Sequence, residues 1–600
     1  MNHSMVRAPA PLVTTASVIL LTIASAAANA QRTSGAPELD LRVDKFMLDN
    51  GLTVLVHEDR KAPIVAVSVW YQVGSKDEPA GKTGFAHLFE HLMFNGSENY
   101  DGEWFEPMQR VGATDLNGTT SRDRTNYFET VPTPALDLAL WMESDRMGHL
   151  LGAVSQDKLD NQRGVVQNEK RQGDNGPYGR VNYDLYEGLF PPAHPYRHDP
   201  IGSMEDLDAA SLDDVHQWFR EYYGPNNAIL SLAGDIDLAT AREKVERYFG
   251  DIPPGPEIDT IEAWIPVREH NTRGIQYDAV PAVLANRAWV VPGRSTRENA
   301  MLDLAAAVLG SDRSSRLYLD LVYERQIASD VTVVVSDLGV ASVFDLAVNL
   351  NPGVPASAAS EAVDRVMAEL LEEGPTEEEL ELVVTSINAE TIRGLEEVGG
   401  FTGKAVTFAE GELFAGDPLF IEQYLEWINA ATPEDVRDAA RAYLGDGWHQ
   451  VDVTPAPTLS SAGSGVDRSG GLPPIPDDLP SLRLPAIETG RLRNGIEIAL
   501  AERHSVPIVE VLIDFDAGFA ADAGGKLGVA SFAMTMLDRG TERMDGLEIA
   551  TETQRLGAII SASSSIDSSS VELSALTSQL APSIELWADI VRNATFDEEQ

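Results

Sequence analysis

Asn50-Gly51-Leu52-Thr53-Val54, followed by Ala62-Pro63-Ile64-Val65-Ala66-Val67, recurs later in the same chain as Asn494-Gly495-Ile496-Glu497-Ile498 and Val506-Pro507-Ile508-Val509-Glu510-Val511. Both pairs are the same distance apart along the sequence. That distance also pairs Gly74 with Gly518, Gly84 with Gly528, Gly96 with Gly540 and Asp101-Gly102 with Asp545-Gly546, before slipping by one residue so that Gly112 meets Gly557. Self-similarity in this order means a fold assembled from copies of one supersecondary unit. Each copy reads as an apolar strand, a turn, a second alternating strand such as Val65-Ala66-Val67-Ser68-Val69-Trp70, a Gly-bounded amphipathic helix and then a hairpin. The expected fold class is therefore α+β: repeated units, each a mostly antiparallel sheet packed with helices.

Working outward, the stretch from Gly274 to about Pro455 carries a fainter version of the pattern. It has a strand at Ala288-Trp289-Val290-Val291, a helix from Asn299 to Leu309, and a helix start at Thr376-Glu377-Glu378-Glu379-Leu380 like that at Ser155-Gln156-Asp157-Lys158-Leu159. From Pro455 to Pro485 the chain is rich in Pro, Ser and Gly without apolar periodicity, which reads as a linker. The organisation expected is a leader at 1–30, a first unit at 31–265, a diverged second unit at 266–455, a linker at 456–485 and a third unit at 486–600. The third copy breaks off at Phe596-Asp597-Glu598-Glu599-Gln600, before a helix that the first copy still has to come, and a fourth unit beyond it is expected.

With 600 residues, one hydrophobic core is excluded. The formal charge of −49 works against a phosphate backbone as partner, so nucleic acid is not expected. There is no cysteine, which excludes disulfides, thiolate metal sites and cysteine nucleophiles and leaves any metal to His, Asp and Glu. Arg7, the apolar run from Leu12 to Ala26 and the small-x-small end Ala28-Asn29-Ala30 read as a secretory signal cleaved before Gln31. No later segment has the roughly 18 apolar residues of a membrane span. The mature protein is expected in a periplasm or outside the cell, without stable membrane insertion.

The segment richest in chemistry is Gly84-Phe85-Ala86-His87-Leu88-Phe89-Glu90-His91-Leu92-Met93-Phe94. Helical periodicity sends Phe85, Leu88, Phe89 and Leu92 to the core and projects His87 and His91 together from another face, where two imidazoles four residues apart can bind one ion. Glu90 stands close enough to take a proton from water at that ion. The order H-x-x-E-H reverses the commoner H-E-x-x-H zinc-peptidase helix. A plainer reading is two surface histidines beside a solvated carboxylate. A catalytic zinc takes three protein ligands and keeps a fourth position open, so a third His, Asp or Glu is needed on another element. Glu169, in the predicted helix carrying Leu159 and Val166, reads from spacing alone as an ordinary solvated carboxylate. His194 and His198 are separated by Pro195, which argues against a shared helix face. Ser314 and Ser315 lack a G-x-S-x-G setting and are not read as nucleophiles. The run Glu377-Glu378-Glu379 reads as a helix N-terminus with favourable dipole placement.

From about Leu41 to Gln600, the repeat, the Asn-Gly strand, the H-x-x-E-H helix and the downstream Glu resemble the pitrilysin/insulinase family of zinc peptidases, the inverzincins, which include the processing peptidases of mitochondria. The resemblance implies a two-halved clamshell, one Zn2+ per chain held by His87, His91 and Glu169, and Glu90 as the base. Gln162 stands where many members carry a further Glu, so no supporting carboxylate is implied there. The resemblance also implies peptide binding by strand addition at Asn117-Gly118-Thr119-Thr120, a segment that by itself is only a turn between strands. An Arg and a Tyr that help hold substrate in the family are expected beyond Gln600. In the third copy, His87, Glu90 and His91 are replaced by Ser531, Met534 and Thr535, which cannot bind zinc. The expected function is a secreted zinc metalloendopeptidase acting on unstructured peptides or unfolded proteins, alone or with a second copy or partner subunit. The rivals are a non-catalytic peptide-binding or assembly subunit of the same fold, and an active half that needs a partner chain.

Overall fold

The Asn-Gly turn of the first copy joins β1 (Asp44–Met47) to β2 (Thr53–Glu58), and β3 (Ile64–Tyr71) leads to α1 (Phe85–Leu92) and α2 (Phe105–Arg110). The hairpin β4 (Thr114–Thr120) and β5 (Thr125–Pro132) follows, then α3 (Leu136–Gly148), α4 (Gln156–Asn175), α5 (Val181–Leu189), α6 (Met204–Ala209) and α7 (Leu212–Tyr222). Strand β6 (Ala228–Gly234) and α8 (Leu238–Phe249) close the unit. The second unit runs β7 (Thr272–Asp278), β8 (Leu284–Pro292), α9 (Arg297–Gly310), α10 (Arg316–Tyr318), β9 (Ala328–Ser336), β10 (Ala341–Leu350) and α11 (Ala356–Glu373). It ends with α12 (Glu377–Gly394), α13 (Lys404–Ala415), α14 (Phe420–Ala430), α15 (Pro433–Tyr443) and β11 (His449–Pro455). The third repeats the opening of the first: β12 (Ile487–Arg491), β13 (Glu497–Ala501), β14 (Ile508–Phe515), α16 (Val529–Met536), α17 (Gly546–Arg555), β15 (Ile559–Ser564), β16 (Ser569–Leu576) and α18 (Leu580–Asn593). This computed structural model describes Leu39 and residues 41–258, 264–456, 486–502, 506–523 and 525–596. The expected leader at 1–30 and all but the first residue of the expected linker at 456–485 lie outside the described residues.

Each complete sheet is closed by its last strand. In the first, ordered β1-β2-β6-β3-β5-β4, β6 runs parallel to β2 (Thr53 opposite Ile229) and antiparallel to β3 (Val65 opposite Gly234). In the second, ordered β7-β11-β8-β10-β9, β11 does the same between β7 and β8. The third unit has no such strand among the described residues, and its strands form two separate sheets, β12-β13 and β14-β16-β15.

The alternation in β3 points to one wet face, but all of its residues after Ile64 are buried. Helices of the same unit cover one side, with Phe85, Leu88 and Phe89 of α1, Leu140 of α3 and Phe249 of α8 in one core with Val65, Val67 and Val69. The other side is covered from the second unit: Val406, Phe408 and Ala409 of α13 pack with Leu55, Trp70 and Ile229. The arrangement is reciprocal. Leu185 and Leu189 of α5, from the first unit, lie on the second sheet against Val343, Val451 and Val453. A buried ion pair reinforces the exchange, with the Lys404 ammonium 2.6 Å from the Asp59 carboxylate. The third unit docks on the second through α12 and α17. Arg393 donates to the Gly557 carbonyl at 2.6 Å, and Arg555 pairs with Glu378 at 2.8 Å.

Candidate metal centre

Glycine begins the metal-site helix for a steric reason. Gly84 caps α1 at a φ of 89°, and a Cβ there would lie 2.7 Å from the Ile201 carbonyl oxygen. The first free amides of the helix are satisfied by Glu78, whose buried carboxylate accepts from the Gly84 N–H at 3.1 Å and the Ala86 N–H at 2.8 Å. His198 meets the same carboxylate at 2.8 Å through Nε2. Phe85, Leu88, Phe89 and Leu92 are buried as the periodicity predicts, and His87 and His91 emerge on the side facing α4.

The Nε2 atoms of His87 and His91 are 3.3 Å apart. Helix α4, capped by Ser155, buries Leu159 and Val166 and brings the Glu169 Oε2 to 3.7 Å from His87 Nε2 and 3.4 Å from His91 Nε2. Tetrahedral zinc with nitrogen and oxygen ligands at ~2.1 Å has ligand-to-ligand edges of ~3.4 Å, so this triangle fits one face of such a site. Burial, with His91 adjacent, pushes the His87 imidazole down to about 4, keeping it neutral as a ligand must be. His87, His91 and Glu169 are the one set of three or more potential ligand residues brought together among the described residues.

Glu90 is buried beside the triangle, with its Oε2 accepting from the Thr120 hydroxyl at 2.6 Å. Burial pushes its carboxyl up to about 7 against the opposing pull of Thr120 and Arg124. Thr120 ends β4, the outermost strand of the first sheet, so Asn117, Gly118, Thr119 and Thr120 line a sheet edge that passes the candidate base. Asn117 is exposed; Gly118 is buried opposite Tyr127. Gln162, on α4, donates to Asn95 at 3.1 Å, and Asn95 donates to the His91 carbonyl at 2.8 Å, tying α4 to the end of α1.

The other sequence candidates have structural places. His194 is buried in a loop with Nε2 3.0 Å from the Trp264 carbonyl, away from His198. Ser314 bonds to Asp312 at 2.7 Å and to Gln554 at 2.6 Å, at the seam with the third unit. Glu379 completes a capping box with Thr376 at the start of α12. The sequence reading overlooked Glu78 and the contact of Thr120 with Glu90. The repeat held a signal for Glu78: its counterpart Asp522 caps α16 in the same way, accepting from Gly528 N–H at 2.8 Å and Ala530 N–H at 3.1 Å.

Two successive sheets, each closed by a returning parallel strand, with an H-x-x-E-H helix on the first, define a class of repeat-built peptidases. Within that class, the chain belongs to the insulinase family, peptidase family M16. The model described as Insulinase (Peptidase family M16) matches residues 53–187 and 497–600, and that described as Peptidase M16 inactive domain matches residues 209–387. The zinc protease PqqE of Helicobacter pylori is 30% identical over 366 residues, covering 60% of this chain and 82% of that protein. The crystal structure of a protease from Helicobacter pylori is similar with a TM-score of 0.65 at 28% identity, over 69% of this chain and 100% of that one. The periplasmic protease PqqL from Escherichia coli shares the fold over 94% of this chain and 67% of its own, with a TM-score of 0.56 at 18% identity.

Proposed function

We propose that this chain is a zinc metalloendopeptidase that hydrolyses internal bonds of unstructured peptides or unfolded proteins, using one Zn2+ held by His87, His91 and Glu169. The observation that carries the reading is the meeting of those three ligand atoms beside a buried carboxylate at a sheet edge that no other described strand covers. Zinc bound there supplies Lewis acidity, acidifying water towards a pKa of about 7 and polarising a carbonyl. Glu90 takes the proton of the attacking water and passes it to the leaving amine. Its burial raises its affinity for a proton, which suits a group that has to take one up. Asn117, Gly118, Thr119 and Thr120 pair with the substrate backbone as an added strand, which admits many sequences. The leader-like pattern of residues 1–30 and the likeness to a periplasmic relative support a periplasmic or secreted location.

The test is hydrolysis of a mixed unstructured-peptide pool by the zinc-loaded protein and by zinc-loaded Glu90→Gln. The variant should keep its zinc and lose roughly 10²- to 10⁴-fold in rate, the usual contribution of a general base. Equal cleavage by both would remove Glu90 from the chemistry. Binding without cleavage by either would favour a capture subunit or an active half that lacks its partner.

A further inference from the structure

The core beneath the edge strand holds a cluster of charge. Glu129 of β5 and Glu143 and Arg146 of α3 are each buried to 1% exposure or less. The Arg146 guanidinium donates through Nε to Glu143 at 2.9 Å and makes a second bond to the same carboxylate through Nη2. Burial, with the Glu143 charge beside it, pushes the Glu129 carboxyl well above its ordinary range, and burial raises Glu143 as well against the pull of Arg146. The Arg146 Nη1 has no hydrogen-bond partner. The guanidinium lies instead against aromatic faces, 4.2 Å from the ring centre of Tyr127, 4.6 Å from Trp104 and 5.6 Å from Phe94. Two of these rings floor the edge strand. A Cβ added to Gly118 would lie 2.8 Å from Phe94 Cζ and 3.1 Å from Tyr127 Cδ1.

The third unit is an internal control. Strand β16 begins at Ser569 as β5 begins at Thr125, and α18 begins at Leu580 as α3 begins at Leu136. In that register Tyr127, Glu129, Glu143 and Arg146 become Val571, Leu573, Trp587 and Ile590, with Val571, Leu573 and Ile590 fully buried. Phe94 and Trp104 become Asp538 and Glu548. The second unit likewise buries Phe344, Leu346 and Val348 on β10. The fold therefore forms with an apolar core here, and an apolar core generally holds a fold as well as a buried ion cluster does. Charge and floor are present in the unit that has the metal-site residues and absent from the third, which lacks them.

We infer that Glu129, Glu143 and Arg146 are positioning residues that fix the Phe94 and Tyr127 floor under β4, holding its edge in register for an incoming peptide strand beside Glu90. The inference rests on the proposed peptide-binding role of β4. The test uses the zinc-loaded full chain in a Glu90→Gln background, so that binding is read without turnover. A fluorescein-labelled unstructured peptide rich in Val and Thr is titrated by anisotropy against that protein, against the added triple change Glu129→Leu, Glu143→Leu, Arg146→Ile, and against added Arg146→Lys. The triple variant should keep one zinc per chain and an unfolding midpoint no lower than its parent, yet bind at least about tenfold more weakly, with Arg146→Lys intermediate. A folded, zinc-loaded triple variant with parental affinity overturns the inference. So does unfolding of both variants, which would assign the cluster to stability. Turnover by the chain with Glu90 intact is measured in parallel. Its absence with a binding loss would sink the peptidase reading alone, and its presence with unchanged binding would sink this inference alone.

Discussion

Glu78 offers nothing to a substrate, yet its buried carboxylate holds two amides of α1 and the His198 ring at once. Glu78→Ala would strand those donors in a buried site, at a cost of about 1–3 kcal/mol each where water cannot reach. The start of α1 would loosen, and His87 with it. The expected outcome is a lower urea midpoint together with zinc binding about tenfold weaker, read by competition with a chelator. Normal zinc affinity in the destabilised variant would count against a link between the cap and the ligand. His87 and His91 are legible in the sequence because helix geometry alone puts residues four apart side by side. Glu169 is not, because distance along a chain says nothing of distance in space; only the family resemblance singled it out. Glu78 sits beside a short 3₁₀ turn with no periodic signal, and only the repeat marks it.

At the scale of elements, the slip of one residue between Gly112 and Gly557 is absorbed inside β4. That strand shifts register between Thr114 and Asn117, with Asp115 at a φ of 57°, so that β4 ends at Thr120 and β15 at Ser564, back in the original spacing. The succession of strands and helices that opens each copy was thus readable from sequence, but the returning strands β6 and β11, which set the order of the sheets, were not. The two buried faces of β3 were not, because the covering helix α13 lies in another unit. The start of α1 offers a paired experiment. Gly84 and Gly528 share nearly the same backbone, at φ 89° and 91°, but among the described residues a Cβ at Gly528 meets nothing within 4 Å whereas one at Gly84 meets the Ile201 carbonyl. Gly528→Ala should cost only the left-handed backbone penalty, about 1–2 kcal/mol. Gly84→Ala should cost more and weaken zinc binding too. Hydrogen exchange over α1 and α16 reads both, and equal losses would mean that the Ile201 contact is slack.

On the scale of the whole molecule, the exchange of α5 and α13 binds the first two units into one stability. Asp59 and Lys404 sit at that seam. Burial alone would raise the Asp59 carboxyl, but the Lys404 ammonium holds it below its ordinary value of 3.8. A carboxyl whose folded pKa is depressed contributes stability above that range and loses it as pH falls through the folded value. Asp59→Asn, which leaves the Lys404 charge buried and alone, should destabilise the protein by about 3–5 kcal/mol at neutral pH. The gap between variant and wild type should close as pH falls below about 4. A constant gap in urea titrations across that range would assign the loss to packing.

The reciprocal helices also set a schedule for the chain as it is made. Strand β6 completes the first sheet at Gly234, but α13, which covers the sheet's outer face, ends only at Ala415. At ordinary elongation rates that interval lasts roughly 10–40 s. Throughout it Leu55, Trp70 and Ile229 form a bare apolar surface on an otherwise finished sheet. A first unit folded without its second half would therefore leave that apolar surface exposed, so the two units gain stability from folding together.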